Sequence, residues 1–588
     1  MKRGFKQLFG AGLTAVFITL WAPGIPAKAM EEEPPNLQMA VMSDVHIDNN
    51  KPNNHFKQAL TDLMGVAPDY DAIAIVGDMT NSGLDPDYRL FNQILQTYKN
   101  PSAEQLLSMG NHEYFESDLD KNSPLTDEML QARFMNYTNE SLPNIYYDKW
   151  IKGYHFISLA GELSPRSLLA SSPNPQARDW AYISDQQYEW LEQTLAINAS
   201  SNKPIFVFLH QPITNTVYGS INWGAGLDSE RLLAILQKYP QVILFSGHSH
   251  FLLNHPKSIY QDGFTMVNTS SVQYTWYEGG IVSNLSQGYL VNVYDDRVEL
   301  MAREFSNDTW IRTVSIPIPY REAPKDITNP SFTGNSGLAV SNLGTTSCTL
   351  SWNQAEDDSV VDRYTIKEAG QVIQTVYSRF WQPDEKVSVT LNNLAPDSAH
   401  LYEIYAMDAY ENISTNPIKV TVTTNPLLGW YQKDHIWYYY TSEGTKHVGW
   451  MLDQNHWYYF DSTGAMKTGW VFINGRWYDF DTNGRMKTGW VKEGSAWYYL
   501  EPSGAMKTGW LFSGHKWYFL NTNGAMKTGW LYNNNNWYYL DSSGAMKTGW
   551  LALGNKWYYL KNDGTMVTNW YSMAGKWYYF ASSGTWIQ

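Results

Sequence analysis

Five short apolar segments of the sequence each end in residues that can bind a metal ion. Each segment is short, rich in branched side chains and bounded by turn-forming residues, which predicts a buried strand. Carboxylate oxygen and neutral imidazole are ligands suited to Zn, Mn or Fe ions. We therefore expect a metal centre where the strands end together. Its candidate ligands are Asp44, His46, Asp78, Asn111, His210, His248 and His250.

Asp78 has the central place in this pattern. It follows the apolar run 72–76 and Gly77, where glycine allows the backbone to turn sharply. In layered α/β folds, ligands bind at the carboxyl ends of the strands. Seven ligands are too many for one tetrahedral ion, so two ions sharing Asp78 fit the set better. The alternative is that each histidine is structural, Asp44 caps a helix and Asn111 lies in a turn.

The order of these blocks resembles that of the calcineurin-like metallophosphoesterases. The family pattern is D-x-H, G-D, G-N-H-E/D, H and G-H-x-H, and the chain carries every block within about residues 38–320. The resemblance implies two divalent or trivalent ions of Mn, Fe or Zn. It also implies that His112 binds no metal and stands beside the leaving group. The first ion would take Asp44, His46, Asp78 and His250, and the second Asp78, Asn111, His210 and His248.

The elements between these blocks predict a layered α/β core. Helical spacing of apolar residues is found over 56–64, 88–98, 184–195 and 228–236, and Ser184 begins a capping-box pattern. Strands that alternate with helices are typical of such a core. The family resemblance implies two packed sheets flanked by helices. We assign residues 30–320 to this domain.

The first 29 residues have the pattern of a secretory signal peptide. Basic residues precede a short apolar stretch, and Ala27-Lys28-Ala29 is typical of a cleavage site. No later stretch predicts a transmembrane segment in the mature chain. The formal net charge of −15 argues against binding to a nucleic acid duplex. The protein is therefore expected to be secreted and to lie at the cell surface or cell wall.

A second domain of short alternating strands is expected over residues 337–425, after a linker at 321–336 rich in Pro, Asn, Ser and Gly. It resembles an all-β fibronectin type III sandwich, with Trp352 as the core tryptophan and Leu394-Ala395-Pro396 before the sixth strand. His400 stands where that family has a corner tyrosine. Cys348, the only cysteine, is expected to face inward. We interpret this domain as a spacer.

The last segment, 427–588, repeats every 20 residues, with Gly-Trp in each unit and a second tryptophan seven residues later. A fixed period predicts a solenoid of stacked β-hairpins. Pattern and period resemble choline-binding cell-wall repeats, in which two tryptophans and a tyrosine of the next unit enclose the ligand. Aromatic faces attract a quaternary ammonium. The implied cages are Trp450, Trp457 and Tyr478; Trp470, Trp477 and Tyr498; Trp490, Trp497 and Tyr518; Trp510, Trp517 and Tyr538; and Trp530, Trp537 and Tyr558.

Together, these segments predict a multidomain enzyme. We expect a secreted, cell-wall-attached dimetal phosphoesterase that hydrolyses phosphate mono- or diesters through a metal-bridged hydroxide. Its partners would be a phosphate ester substrate and a choline-bearing cell-wall polymer. One alternative is an extracellular nucleotide phosphodiesterase or nucleotidase. Another is a non-catalytic adhesin or glucan-binding surface protein, since similar repeat arrays bind glucans.

Overall fold

The computed structural model describes residues 33–587 apart from 120–122, 139–141, 173, 222, 225–228, 335 and 384–385. The predicted signal peptide lies outside the described residues. The chain divides into two compact units. The first comprises Met1–Gly337, Trp352–Val387 and Glu403–Lys419, and the second Leu338–Ser351, Ser388–Tyr402 and Val420–Gln588.

The first unit begins with a series of strands and helices that alternate along the chain. Strands β1 to β14 are Leu37–Met42, Ala72–Val76, Glu104–Ser108, Tyr147–Ile151, Tyr154–Ser158, Ile205–Phe208, Val242–Ser246, Ile259–Gln261, Thr265–Asn268, Thr275–Tyr277, Gly280–Val282, Gln287–Val293, Arg297–Glu304 and Thr309–Pro317. Helices α1 to α7 are Asn54–Val66, Asp85–Tyr98, Glu116–Leu119, Asp127–Thr138, Pro165–Ser171, Asp185–Leu195 and Ser229–Leu236. No helix in these described ranges has the length and apolar character needed to span a bilayer.

Two six-stranded mixed sheets form the frame of this domain. The first has the order β14-β13-β12-β1-β2-β3, and the second β4-β5-β6-β7-β9-β8. Strands β1, β2 and β3 are parallel to one another, and so are β5, β6, β7 and β9. The ligand-bearing segments therefore end five parallel strands, but these strands lie in two sheets and not along the edge of one.

The hydrophobic core explains why these strands read as unbroken apolar runs. Val41 and Val76 of the first sheet share one buried cluster with Phe206 and Phe245 of the second, so the sheets pack face to face. The other face of the first sheet packs against α1 and α2, and that of the second against α6 and α7. Because both faces of each sheet are covered, alternation of polar and apolar residues is not required.

The predicted helices are present with small shifts at their ends. The helix expected over 184–195 is α6, and Ser184 Oγ accepts the Gln187 N–H at 3.2 Å, as its capping pattern predicts. Helix α4 and the edge strand β14 are among the elements that were not predicted from the sequence. Helix α4 has only Leu130 and Phe134 buried, so its apolar periodicity is weak.

Residues 339–423 form two small antiparallel sheets. Strands β15 to β21 are Ala339–Ser341, Cys348–Trp352, Val361–Glu368, Gln371–Tyr377, Val387–Leu391, Ala399–Asp408 and Ile418–Thr423. The sheet orders are β15-β16-β19 and β18-β17-β20-β21. Cys348 and Trp352 are fully buried, as predicted. His400 Nε2 lies 2.8 Å from the Ser398 hydroxyl, a local hydrogen bond at the position that the resemblance gives to a tyrosine.

Part of this segment contacts the first domain inside the first compact unit. The carboxylate of Asp362 lies 3.6 Å from His255 Nε2, and both side chains are buried. Trp381 packs edge-on against Tyr277, with ring centres 4.6 Å apart. Residues 352–387 are therefore packed against the first domain, and the role of the segment as a spacer stays a prediction. Burial lowers the pKa of His255, so the contact with Asp362 is that of a neutral imidazole with a carboxylate.

The C-terminal residues form a row of β-hairpins with the predicted 20-residue period. Strands β22 to β38 are Gly429–Lys433, Ile436–Tyr440, Gly449–Asp453, His456–Phe460, Gly469–Ile473, Arg476–Phe480, Gly489–Glu493, Ala496–Leu500, Gly509–Ser513, Lys516–Leu520, Gly529–Asn533, Asn536–Leu540, Gly549–Leu553, Lys556–Leu560, Asn569–Met573, Lys576–Phe580 and Trp586–Ile587. Backbone hydrogen bonds join successive units, as from the Met486 N–H to the Trp457 carbonyl at 2.8 Å. Each hairpin thus depends on its neighbour, as expected for a solenoid.

Candidate metal centre

The two sheets bring all seven predicted ligands together. Strand β1 is followed by Asp44 and His46, β2 by Asp78 and β3 by Asn111, whereas the ligands after β6 and β7 come from the second sheet. Face-to-face packing of the sheets places these carboxyl ends opposite one another. The ligand atoms form two groups, Asp44 with His46 and His250, and Asp78 with His210 and His248.

In the first group, His250 Nε2 lies 2.9 Å from Asp44 Oδ1 and 3.2 Å from His46 Nε2. These three atoms come from two segments about 200 residues apart in the sequence. The side chains are almost entirely buried. Two imidazole nitrogens and one carboxylate oxygen therefore point into one small volume.

Asp78 lies between the two groups. Its Oδ2 is 3.1 Å from His210 Nε2 and 3.9 Å from His46 Nε2, one nitrogen from each group. The backbone N–H of His112 donates to the other oxygen, Oδ1, at 2.9 Å, which fixes the orientation of the carboxylate. One carboxylate that faces both groups is the arrangement a bridging ligand requires.

Several buried polar atoms at this site have no hydrogen-bond partner among the described residues. Buried polar groups normally form hydrogen bonds, so such atoms need another partner. Oxygen and imidazole nitrogen without hydrogen bonds are suited to a transition-metal ion. The residues present therefore fit two metal ions. The unpartnered atoms are Asp44 Oδ1, His46 Nδ1, Asn111 Oδ1, His210 Nε2 and His248 Nε2.

The backbone at the ligands is strained. The φ angles of Asp44, His46, Asp78, His248 and His250 are 54°, 48°, 50°, 64° and 60°. Residues other than glycine rarely adopt the left-handed region, and each costs of the order of 1–3 kcal/mol there. Five of the seven ligands share this conformation. The surrounding fold thus maintains an unfavourable backbone that directs these side chains inward.

Two glycines of the sequence blocks are required by close packing at the site. A Cβ at Gly110 would overlap Asp78 Oδ1, and one at Gly247 would overlap Asp44 Oδ2. In both cases the obstacle is a ligand carboxylate that has no room to move. These glycines of the G-N-H and G-H-x-H blocks therefore allow the ligand-bearing loops to approach each other.

Glu113 was given no role in the sequence analysis, although it belongs to the G-N-H-E block. Its buried carboxylate accepts the N–H groups of Asp78 at 3.0 Å, Thr80 at 3.0 Å and Gly110 at 2.8 Å. Burial and the charge of Asp78 raise the pKa of Glu113 to about 7. Glu113 joins the loops after β2 and β3 and so positions the bridging carboxylate.

The two histidines near Asp78 differ in their protonation. Burial lowers the pKa of His248 to about 3, which leaves the neutral imidazole that a metal ion requires. Burial also lowers the pKa of His210, but the carboxylates of Asp78 and Asp44 outweigh burial and raise it to about 10. The buried carboxylates thus favour a positive charge at this point, which a metal ion can also provide.

His112 lies at the edge of the metal centre. Its Nδ1 is 2.8 Å from the Asn81 carbonyl oxygen, so that nitrogen carries the proton and donates. Nε2 lies 3.8 Å from Asp78 Oδ2, and the ring centre is 4.5 Å from that of His46. The side chain is partly exposed toward a cavity of about 310 Å³ that also reaches Asp78.

The aromatic residues predicted as cages come together between neighbouring hairpins. The first tryptophan of each cage lies 4.8 to 5.1 Å, between ring centres, from the tyrosine of the next unit. Its distance to the second tryptophan is 6.1 to 6.4 Å in four of the five cages. At Trp470, a cavity of about 190 Å³ is lined by the predicted triad and by Met506.

The structure adds two cages that the sequence analysis omitted. Trp430 lies 6.2 Å from Trp437 and 4.8 Å from Tyr458, the geometry of the other cages. Trp550, Trp557 and Tyr578 form the second additional cage, and Trp586 packs 5.4 Å from Trp550. The 20-residue period already contained this signal. Among the described residues, the row of aromatic sites thus extends over seven units.

Comparison with known proteins agrees with this division of the chain. The calcineurin-like phosphoesterase family matches residues 37–252. The choline-binding repeat family matches 467–509, 507–549 and 547–587, and a putative cell wall binding repeat matches 448–466. The first match spans the ligand blocks and the other matches span the aromatic hairpins.

Several curated proteins are similar to the first domain. A glycerophosphodiester phosphodiesterase of Enterobacter lignolyticus is 28% identical over 33% of this chain and 60% of its own length. A probable cyclic nucleotide phosphodiesterase of Xenorhabdus bovienii is 20% identical over 44% of this chain and 95% of its own length. The chain thus spans somewhat less than two thirds of the first of these relatives.

Among solved structures, choline binding protein F of Streptococcus pneumoniae is 26% identical, with 43% of this chain and 99% of that chain covered and a TM-score of 0.26. The choline binding domain of Spr1274 from the same species is 42% identical over 14% of this chain and 96% of that chain, with a TM-score of 0.13. The matches of residues 448–587 to the repeat families are independent of these structural similarities. Residues 37–252 thus match the calcineurin-like phosphoesterase family, and residues 448–587 match families of choline-binding and cell wall binding repeats.

Proposed function

We propose that the protein is a cell-wall-attached hydrolase of phosphate mono- or diesters that uses two metal ions. The observation that carries this proposal is the position of Asp78 Oδ2, which faces imidazole nitrogens of both ligand groups. The similarity to proteins named as phosphodiesterases supports the ester class.

Each metal ion would be held by four residues, as the resemblance implies. The first set is Asp44, His46, Asp78 and His250, and the second is Asp78, Asn111, His210 and His248. When bound, such a pair supplies an activated water and positive charge for the phosphoryl oxygens. The carboxylate and imidazole ligands are suited to Mn, Fe or Zn ions.

The chain's own residues complete the reaction. Hydrolysis consumes one water, whose oxygen ends on phosphorus and one of whose two protons ends, in the net reaction, on the leaving oxygen. His112 is placed to relay it, because Nδ1–H donates to the Asn81 carbonyl and the ring lines the cavity. The doubly protonated ring would give the Nε2 proton to the leaving oxygen, and a proton of the water would restore it. Glu113 and the His112 N–H hold Asp78 in a fixed orientation, so the ligand geometry is set before substrate binds.

The parts of the chain outside the metal centre have proposed roles in secretion and attachment. Residues 1–29 would direct secretion, 337–425 would form a fibronectin type III-like domain, and the repeats would hold the protein on choline-bearing polymer. The intact set of ligands disfavours a non-catalytic adhesin, because a site without selection for metal binding loses members. An extracellular nucleotide phosphodiesterase remains the competing enzyme, supported by the name of the Xenorhabdus relative.

The test is the replacement of Asp78. We expect Asp78→Ala to lose metal, measured by elemental analysis of the purified full chain, together with activity on nitrophenyl phosphate mono- and diesters. Asp296→Asn, a change at a well-exposed carboxylate, is the matched control and should keep both. Full metal content in Asp78→Ala, or a metal-loaded wild type without activity on any ester, would overturn the proposal.

A further inference from the structure

Aromatic side chains outside the ligand set surround the opening of the metal centre. The cavity of about 310 Å³ that reaches Asp78 is also lined by Phe115, Trp223, Tyr274 and Trp276. The rings come from three separate loops, since Phe115 follows β3, Trp223 lies between β6 and α7, and the other two belong to the β10 region. The metal centre needs none of these rings as ligands.

Three of these rings pack against histidines of the site. The Tyr274 ring centre lies 4.5 Å from that of His250, and that of Trp223 lies 6.0 Å from that of His248. The Phe115 ring centre is 4.0 Å from that of His112. Trp223 is 36% exposed, so its ring remains accessible to a ligand. A group attached to a phosphate at the metals would therefore meet aromatic faces.

An acidic side chain lies in the same cavity. Asp179 lines it, and burial raises the pKa of this carboxyl group. The charges of Arg178 and His112 act in the opposite direction on this pKa, but burial outweighs them. The neighbouring Arg178 is directed toward the Phe115 ring, 5.2 Å from its centre. The aromatic rings thus share the cavity with one carboxyl group and one guanidinium group.

We propose that this aromatic pocket binds a quaternary ammonium group, and that the substrates are phosphate esters of choline. The inference rests on the proposed function, because the ester must be hydrolysed at the adjacent metals. Aromatic faces attract a trimethylammonium group without hydrogen bonds, and a carboxylate complements its charge. Arg178 on the same rim can donate to an anionic phosphate oxygen.

A nucleotide fits these features less well. A base can also stack on tryptophan, but its recognition needs donors and acceptors at its edges. The carboxylate of Asp179 would repel the additional phosphates of a nucleotide. The repeats independently favour a choline ester, because they would hold the enzyme on a polymer that carries choline. The ligand of the tail and the substrate of the active site would then share one chemical group.

The experiment compares two esters that differ in a single atom. The full chain is assayed with nitrophenyl phosphocholine and with its neutral analogue, in which carbon replaces the ammonium nitrogen. Cation–π attraction and the carboxylate predict a kcat/KM about 10- to 30-fold higher for the choline ester. In Asp179→Asn and Trp276→Ala we expect this ratio to fall toward one, through a higher KM with kcat retained.

Two matched variants serve as controls. Tyr182→Ala removes an exposed aromatic ring and Asp296→Asn an exposed carboxylate, both outside the pocket, and neither should change the ratio. All variants should still bind a choline resin through their repeats, which shows that the tail is intact. Tetramethylammonium should inhibit the wild type competitively on the choline ester and inhibit Trp276→Ala more weakly.

The possible results distinguish failure of the choline-ester inference from failure of the phosphoesterase proposal. Equal kcat/KM for the choline ester and its neutral analogue would overturn the inference and leave the phosphoesterase proposal standing. So would a preference for cyclic nucleotides that Trp276→Ala abolishes, since the rings would then bind a base. Loss of both esters in a metal-loaded wild type would refute the phosphoesterase proposal itself.

Discussion

At the scale of single residues, the metal centre depends on groups that bind no metal. Glu113 accepts three backbone N–H groups from the loops that carry Asp78 and Asn111, and Gly110 leaves space for the Asp78 carboxylate. Glu113 fixes the two loops through hydrogen bonds, and Gly110 lets them approach each other closely. Their replacement should therefore affect metal binding without removing any ligand.

Replacement of Gly110 tests whether the space beside the Asp78 carboxylate is needed for metal binding. A methyl group there would overlap Asp78 Oδ1, so Gly110→Ala should lower metal content and destabilise the fold by about 1–3 kcal/mol. Gly65→Ala in the exposed part of α1 is the matched control, because nothing lies within 4 Å of the added carbon. It should be neutral or stabilising by about 0.5–1 kcal/mol. Thermal unfolding and elemental analysis measure both effects, and equal metal content in the two variants would contradict the prediction.

His112 gives a second prediction at this scale. His112→Ala should keep both metals but slow turnover by about 10²–10⁴-fold, the usual range for general acid catalysis. The loss should be smaller for nitrophenyl esters than for alkyl esters, because a good leaving group needs no proton. His112→Asn, whose amide can still donate to Asn81, should show the same pattern. An equal loss for both ester types would exclude the acid role.

At the scale of elements, the β10–β11 hairpin joins the second domain to the active site. Trp276 of β10 lines the cavity, and its neighbour Tyr277 packs against Trp381. On the same side, Tyr218 stacks on His255 with ring centres 3.7 Å apart, and His255 pairs with Asp362. Residues 352–387 therefore contact the segment whose Trp276 lines the cavity.

We predict that Trp381→Ala raises KM for small esters several-fold, with little change in kcat or metal content. The reason is that the Trp276 ring would lose the support of its neighbouring residue while the ligands remain in place. Val372→Ala, an exposed residue of β18 in the same domain, is the control and should leave KM unchanged. A fall in kcat and metal content together would show instead that the contact stabilises the whole domain.

At the scale of the whole molecule, the row of aromatic cages would combine several weak sites into strong attachment. A single cage of millimolar affinity corresponds to about 4 kcal/mol, and linkage of several can add about 10²–10⁴ in avidity. The repeats present similar cages at a fixed spacing of 20 residues. Retention should therefore depend steeply on the number of intact cages.

This dependence can be measured on choline-bearing walls. Trp510→Ala should weaken retention slightly, whereas the triple variant Trp470→Ala, Trp510→Ala and Trp550→Ala should be released, with hydrolysis of small soluble esters unchanged. Thr463→Ala in an exposed turn is the control. Millimolar choline should release the wild type. Release by soluble glucan but not by choline would make the array a carbohydrate binder.

The sequence by itself determined the features that are encoded locally. The strands β1, β2, β6 and β7 were predictable because each is a short apolar run between turn residues. Six of the seven candidate ligands follow these four strands, and the seventh, Asn111, follows β3. The 20-residue period located the hairpins, because each repeat specifies its own turn and pairing.

Only the tertiary structure decided which distant residues share the pocket. Asp179 ends a short 3-10 helix, Pro175–Asp179, and Trp223 lies between β6 and α7, so neither belongs to a ligand block and no periodicity marks them. They line one cavity because two sheets pack face to face and bring their loops to one end. The contact of Trp381 with Tyr277 has the same origin. Such proximity depends on the packing of the sheets and not on any local pattern of residues.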